Sequence, residues 1–350
     1  MSAHDTNANG EFDLIKRYFS RHQTALDLSQ PIADQLNPLI LGVGDDCALL
    51  AAPSNHQAIA VTSDMLVADR HFFKDCDPKK LGHKALAVNL SDLAAMGAKP
   101  FAFTLSLALP QAIASNALWL TQFSSGLFAL ADQHQCKLVG GDTTAGPLNI
   151  SITAMGLVNP NLSLRRSRAK PDDDIWVSHE LGDARLALGH HRGEWRLSAD
   201  VFEKVSLRMD TPIPRLTLGQ SLLGIAHAAI DISDGLLGDL RHILKASHLS
   251  AEIWIDEVPV SNALLESSVE LRRLCALAGG DDYELCFTAP VTKRAEIERI
   301  ASDLHLRTTR IGKTATPKNN AGELRLLDAK HECLDEQLSA RYLRSFDHFK

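Results

Sequence analysis

Acidic residues recur at the ends of apolar runs, each beside a glycine or a hydroxyl-bearing residue. The segments are Gly42-Val-Gly-Asp-Asp-Cys, Val61-Thr-Ser-Asp-Met, Asn89-Leu-Ser-Asp-Leu, Val139-Gly-Gly-Asp-Thr-Thr, Ile230-Asp-Ile-Ser-Asp-Gly and Gly279-Gly-Asp-Asp-Tyr. An apolar run that stops on Ser-Asp or Gly-Asp reads as a buried strand carrying a carboxylate to the sheet edge. Bringing several such groups together is costly: two unit charges about 4 Å apart repel by about 4 kcal/mol at an effective dielectric of 20. A hard divalent cation removes that cost, and Mg²⁺ is commonly held by carboxylates together with substrate phosphates. The pattern therefore points to Mg²⁺-nucleotide chemistry.

Segment by segment, the groups suit that chemistry to different degrees. Asp46 follows two glycines that allow a ligand close approach, although the segment alone reads as a hairpin turn. Thr62, Ser63 and Asp64 supply oxygen ligands of the kind Mg²⁺ takes. Asp92 lies in an otherwise small and apolar stretch, where a carboxylate is either paired or on metal, or else caps a following turn with Ser91. Gly140-Gly141-Asp142 is expected to end a strand and present N–H groups to a phosphate. Asp231 and Ser233 alternate on one strand face, with Asp234 next and Gly235 opening a helix. Arg166 sits in Arg165-Arg166-Ser167-Arg168, which is a solvated turn or a clamp for triphosphate oxygens. Ser302-Asp303, on a polar helix, shows that one Ser-Asp pair carries little information.

Composition excludes other classes. Lys plus Arg number 36 against 43 Asp plus Glu, a formal charge of −7, which argues against nucleic acid as a partner. No apolar stretch approaches the length of a membrane span, and the polar Met1–Gly10 segment lacks the order of a signal peptide. The six cysteines contain no C-x-x-C pair, so neither zinc nor a redox dithiol is expected. Gly312-Lys313-Thr314 has the ending of a phosphate-binding loop, but position 307 is Arg307 and no helix follows. No kinase glycine loop with a downstream His-Arg-Asp and no G-x-S-x-G is present.

The elements needed to position these groups are legible in outline. Glu11–Arg21 reads as an amphipathic helix, 40–50 and 58–63 as strands, and Pro78–Met96 as a helix stopped by Gly97. Phe101–Leu107 reads as a strand, Ala112–His134 as a helix, Lys137–Val139 as a short strand and Asn149–Val158 as another. A turn-rich linker lies near 160–170. Beyond it come a helix at Leu216–Ala228, strands at 229–232, 251–255 and 283–288, and a helix at Leu236–Ala246. Asp172-Asp173-Asp174 reads as a solvated turn and Gly189-His-His-Arg-Gly as an exposed connector. The expected fold is α+β or α/β, with two domains of mixed sheet plus helices, residues 1–160 and 161–350.

In order, the motifs Gly-x-Gly-Asp-Asp-Cys-Ala, Thr-Ser-Asp, Lys84-Ala-Leu-Ala-Val-Asn-Leu-Ser-Asp-Leu-Ala-Ala-Met-Gly-Ala, Gly-Gly-Asp-Thr-Thr, Ser167-Arg-Ala-Lys-Pro, Asp231-Ile-Ser-Asp-Gly-Leu and Gly-Gly-Asp-Asp-Tyr-Glu-Leu closely resemble thiamine-monophosphate kinases. These are relatives of aminoimidazole ribonucleotide synthetase. The resemblance covers nearly the whole chain. It implies an aminoimidazole ribonucleotide synthetase-like fold, a cytoplasmic homodimer, and conversion of ATP and thiamine monophosphate to ADP and thiamine diphosphate with several Mg²⁺. It implies Asp46, Thr62, Ser63, Asp64, Asp92, Asp142, Asp231 and Asp234 as metal ligands, and Gly141, Asp142, Arg166 and Ser233 as ATP contacts. His71, Asp281 and Phe346 would meet thiamine, Phe346 and Phe349 being equally compatible with core packing. No general base is implied; Asp64, Asp142 and Arg166 would act electrostatically. Two departures stand out. Asp281 occupies a position where the family usually has Glu, and Gly182-Asp-Ala-Arg-Leu-Ala breaks the usual Gly-Asp-x-Ala-x-Gly-Leu form.

Overall fold

The helix that organises the molecule, α1 (Pro78–Ala95), begins where local signals place it. Pro78 fills the first turn, and the Asp77 carboxylate accepts from the amides of Lys79 and Lys80 at 2.8 and 3.0 Å. It ends before Gly97, whose φ of +68° sends the chain away. Unlike a surface helix, α1 is buried almost all round. It packs on α3 (Ala117–Gln133), on strands of a first sheet and on the strand Ala228–Asp231 of a second. Glycine permits the closest approach: a Cβ at Gly126 would lie 1.8 Å from the Lys79 carbonyl oxygen, and one at Gly82 2.0 Å from that of Phe123. A helix enclosed in this way needs a partner for every polar side chain it carries.

The computed structural model describes residues 39–41, 45–51, 57–318 and 320–343. The expected helix at Glu11–Arg21, the glycines Gly42 and Gly44, and Phe346 and Phe349 lie outside them. The first sheet has the order β1-β2-β3-β6-β4-β5, comprising β1 (Leu39–Leu41), β2 (Ala48–Ala51), β3 (Ala58–Val67), β4 (Lys99–Leu109), β5 (Lys137–Ala145) and β6 (Asn149–Val158). All its pairs are antiparallel except β4 with β5. The second sheet, β12-β9-β11-β7-β10-β8, uses β7 (Asp174–Ser178), β8 (Ala228–Asp231), β9 (Ser250–Trp254), β10 (Leu285–Ala289), β11 (Thr308–Ala315) and β12 (Leu324–Leu327). Two mixed sheets with helices match the expected class. One apolar core spans both: α1 residues pack in the same cluster as Trp176, Leu216 and Phe287.

Several elements differ from expectation for identifiable reasons. The 40–50 run is two short strands, paired Leu39 with Leu50, so the Asp45-Asp46 segment lies in a hairpin connection. The helix expected from Ala112 is split into α2 (Gln111–Ala114) and α3, because the Asn116 side chain caps the Trp119 amide at 3.0 Å. The helix from Leu216, α6, stops at Ser221, ahead of Gly224 with φ +76°. β5 does not stop before Gly140 but runs on to Ala145. β10 starts only at Leu285, since Tyr283 has a φ of +50°. Of the Asp172–Asp174 segment, only Asp172 is an exposed turn residue. Asp173 is buried against His227, Thr288 and the Lys170 amide, and Asp174 binds Arg294 and Arg310. His190 and His191 close helix α4 (Asp183–His191), where half-buried His190 stacks on Phe202 of α5 (Ala199–Asp210); of the expected exposed connector, His191, Arg192 and Gly193 are exposed.

Candidate active site

The polar residues of α1 define the site. Ser91 Oγ donates to Asp231 Oδ2 at 2.8 Å, and the Thr62 hydroxyl of β3 donates to Asp92. The Asn89 carboxamide oxygen accepts from the Asp64 amide at 3.1 Å while its nitrogen donates to Ala85. Lys84 Nζ meets Asp281 Oδ2 at 3.0 Å. A helix that reads in sequence as small and apolar thus uses each polar group to fix a strand end or loop from another part of the chain.

At the centre, Asp46, Asp92 and Asp231 each bring a carboxylate oxygen within 4.8 Å of the other two. Asp64 and Asp234 line the same cleft, of about 910 Å³, together with Asp92 and Asp231. That volume suits a small-molecule site. The charges are mutually unfavourable. Burial, then the charges of Asp64, Asp231 and Asp46, push the Asp92 carboxyl well above its ordinary range. Burial and then Asp46 do the same to Asp231. Asp45 rises to about 7, from burial and the Asp46 charge, with Arg166 opposing. Carboxylates crowded enough to retain protons form a donor set suited to a hard divalent cation, which would displace those protons.

Arg166 supplies the nearest positive charge. Its Nε and terminal nitrogen donate to the two oxygens of Asp46 at 3.0 and 2.6 Å, and its amide donates to Asp45 at 3.2 Å. Ser247 Oγ donates to the Arg166 carbonyl, anchoring the short 3₁₀ turn Arg166–Arg168. Arg165 and Arg168 instead donate to carbonyls of the 160–163 loop. Of the basic cluster, only Arg166 faces the acids.

The structure separates some residues that the sequence grouped. Strand alternation turns Thr62 and Asp64 toward α1 but sends the Ser63 hydroxyl to the other face, where it meets Thr153 Oγ1 at 3.0 Å, although Ser63 still borders the cleft. Asp142 does not join the acidic group within one chain. Register pairs Asp142 with Ser106, Ser106 with Ser151 and Ser151 with Met65, so Asp142 shares the outer face with exposed Met65. Gly141 aligns instead with Leu105, Ile152 and Asp64 on the inner face, three strand spacings or about 14 Å from β3. Ser233 lines the cleft, but its amide and those of Asp234 and Gly235 all donate to Asp239 Oδ2 at 3.1 Å. Asp239 therefore fills the anion nest that opens helix α7 (Leu236–Ala246). His71 lines the cleft, with its Nδ1 accepting from the Val67 amide at 3.0 Å. Sequence reasoning missed Lys84, Ser91, Asp45, Asp239 and Tyr283. The isolated Lys84 at the head of a small apolar helical run was the one available signal.

Known proteins are similar to this chain in sequence and fold. Residues 44–158 match the family model for AIR synthase related protein, N-terminal domain, which defines the class of that segment. The thiamine-monophosphate kinase of Haemophilus influenzae is 41% identical over 349 residues, covering 98% of this chain and 99% of that one. The crystal structure of thiamine-monophosphate kinase from Stenotrophomonas maltophilia K279a superposes with a TM-score of 0.73 at 44% identity, covering 83% of this chain and 92% of that one. AaThiL complexed with AMPPCP and TMP superposes with a TM-score of 0.75 at 25% identity, over 97% of both chains. The chain belongs to the thiamine-monophosphate kinase family.

Proposed function

We propose that this protein transfers the terminal phosphoryl group of ATP to thiamine monophosphate, giving ADP and thiamine diphosphate, the last step of thiamine diphosphate biosynthesis. The observation that carries the reading is the convergence of Asp46, Asp92 and Asp231 beside a substrate-sized cleft. Relatives of nearly full length carry this activity in their names, and one solved relative holds an ATP analogue together with TMP.

The acceptor is a phosphate monoester whose second pKa lies near 6, so it is already largely ionised at neutral pH and needs no strong general base. The obstacle is repulsion between two anionic groups. Asp46, Asp92 and Asp231, with Asp64, Asp234 and the Thr62 hydroxyl around them, would hold several Mg²⁺ ions. Bound there, Mg²⁺ would neutralise phosphate charge and keep donor and acceptor in line. The protein's own part is to fix these acids through Ser91, Thr62 and Asn89 and to seat thiamine against the cleft wall that includes His71 and Asp281. Arg166 would share its charge between Asp46 and the nucleotide phosphates, near Ser233.

The same reading makes the protein a cytoplasmic homodimer of two-domain chains. The domain division at 160 rests on each sheet drawing its strands from one side of that point. Among the described residues no helix is long and apolar enough to cross a membrane. The outer face of the first sheet exposes Met65 and Phe101, and its edge strand β5 is exposed along its whole length. A second copy covering that face and the β5 edge would bring Asp142 and the Gly141 backbone to the interface, the route by which they could reach a nucleotide.

Incubation with Mg-ATP and thiamine monophosphate, read by chromatography of thiamine species and ADP, tests the proposal. Equal yields of thiamine diphosphate and ADP are expected. Phosphate release without thiamine diphosphate, or binding without turnover, would overturn it.

A further inference from the structure

Of the basic residues lining the cleft that the mechanism leaves without a role, Lys84 is the buried one. Lys84 projects from α1 into the cleft wall with its side chain only 6% exposed, and its Nζ binds Asp281 Oδ2 at 3.0 Å. The other Asp281 oxygen accepts from Tyr283 OH at 3.1 Å. Asp281 itself remains 31% exposed to the cleft. Its backbone stands at φ +66° and that of Tyr283 at +50°, a left-handed region that such side chains rarely occupy. Strained backbone of this kind persists only where its surroundings fix it, and it concentrates at functional sites. Here the amides of Asp281 and Tyr283 donate to the carbonyls of Ser233 and Ile232, which ties the loop to the segment carrying Asp231.

Lys84, Val88 and Asp92 follow one another at successive turns on the cleft-facing stripe of α1. At 1.5 Å per residue, Lys84 and Asp92 start about 12 Å apart along the axis. A substrate with its phosphate at the acidic group would therefore present its ring end near Asp281. Aminopyrimidine offers an N–H donor there, matching a carboxylate acceptor.

We propose that Lys84 is a positioning residue: by holding one oxygen of Asp281, it aims that carboxylate at the ring end of thiamine monophosphate and sets substrate affinity. The assignment rests on the proposed kinase reading. The Lys84 ammonium and the Tyr283 hydroxyl hold the carboxylate from two sides.

The test compares Lys84→Met, Lys84→Arg and the double variant Lys84→Met/Asp281→Asn with the unmodified enzyme, reading kcat, both KM values and Tm. Turnover by the unmodified enzyme checks the kinase reading separately. Lys84→Met is expected to raise KM for thiamine monophosphate about 10- to 100-fold, as for loss of a charged hydrogen bond. KM for ATP should change little, and Lys84→Arg should recover part of the loss. The double variant removes the unpaired charge, so Tm should return while KM stays high. An unchanged KM for thiamine monophosphate in Lys84→Met overturns the assignment. So does recovery of KM together with Tm in the double variant, which would mark the bridge as structural only.

Discussion

Replacing Arg166 by Leu gives the sharpest test of how the acidic group is held together. In the structure the Arg166 side chain is 14% exposed, and those of Asp45 and Asp46 are 5% and 1% exposed. Removing one partner of a buried ion pair costs about 3–5 kcal/mol, because the remaining charge stays desolvated. Proton uptake limits the loss. Asp45 already titrates at about 7 with Arg166 beside it, and without the guanidinium it keeps its proton further into the alkaline range. The lower end, about 3 kcal/mol near neutral pH, is therefore expected. A chain of 350 residues has an unfolding entropy of about 0.7 kcal/mol/K if it melts as one unit, so the Tm should fall by about 4 °C in EDTA. Saturating Mg²⁺ should restore most of that deficit, since a cation on Asp46, Asp92 and Asp231 replaces the missing charge. Differential scanning fluorimetry of both proteins, with EDTA and with Mg²⁺, makes the measurement. Equal Tm values in EDTA, or a deficit that Mg²⁺ leaves untouched, would refute the reasoning.

Further outcomes follow from the same geometry. Asp64→Asn should abolish phosphoryl transfer while the circular dichroism spectrum and Tm stay close to the unmodified protein; near-normal turnover would remove Asp64 from the site. Raised carboxyl pKa values at Asp45, Asp92 and Asp231 give stability that is full below about pH 3.8 and lost as pH rises through the folded-state value, about 7 for Asp45. The gain in Tm from Mg²⁺ over EDTA should thus widen as pH rises through about 7, and a constant gain would contradict it. His179 and His242, both lowered to about 4 chiefly by burial, act oppositely: their contribution is full above about pH 6.5 and lost as pH falls toward 4. Arg215→Met, which breaks the buried bidentate pair with Glu284, should cost about 3–5 kcal/mol in urea unfolding. Removing the exposed Arg299–Asp303 pair should cost under about 1 kcal/mol. Gly126→Ala should lower stability by about 1–3 kcal/mol, because its methyl group meets the Lys79 carbonyl where α1 and α3 touch.

Much of this molecule is written in short stretches of sequence. The limits of α1 follow from Asp77, Pro78 and Gly97, which act within one turn of the backbone they cap. The order of the Gly-Asp and Ser-Asp segments identifies the family, and alternation along β3 places Thr62 and Asp64 on the same side. Helix splitting at Asn116 was also local, although the apolar periodicity across it obscured the cap.

Sidedness and partnership were decided only in three dimensions. Gly-Gly-Asp-Thr-Thr looks as suitable for a phosphate as Ser-Asp-Gly, yet the register of β5 on β4 turns Asp142 to the outer face. The Ser-Asp-Gly amides, for their part, are taken by Asp239. Lys84 meets Asp281 across 197 positions, and Ser91 meets Asp231 across 140. Capping and strand alternation depend on neighbours a few residues away, so the sequence alone determines them. Which carboxylates share one cavity depends on how two sheets pack on a single buried helix, and that packing is set by the whole chain at once.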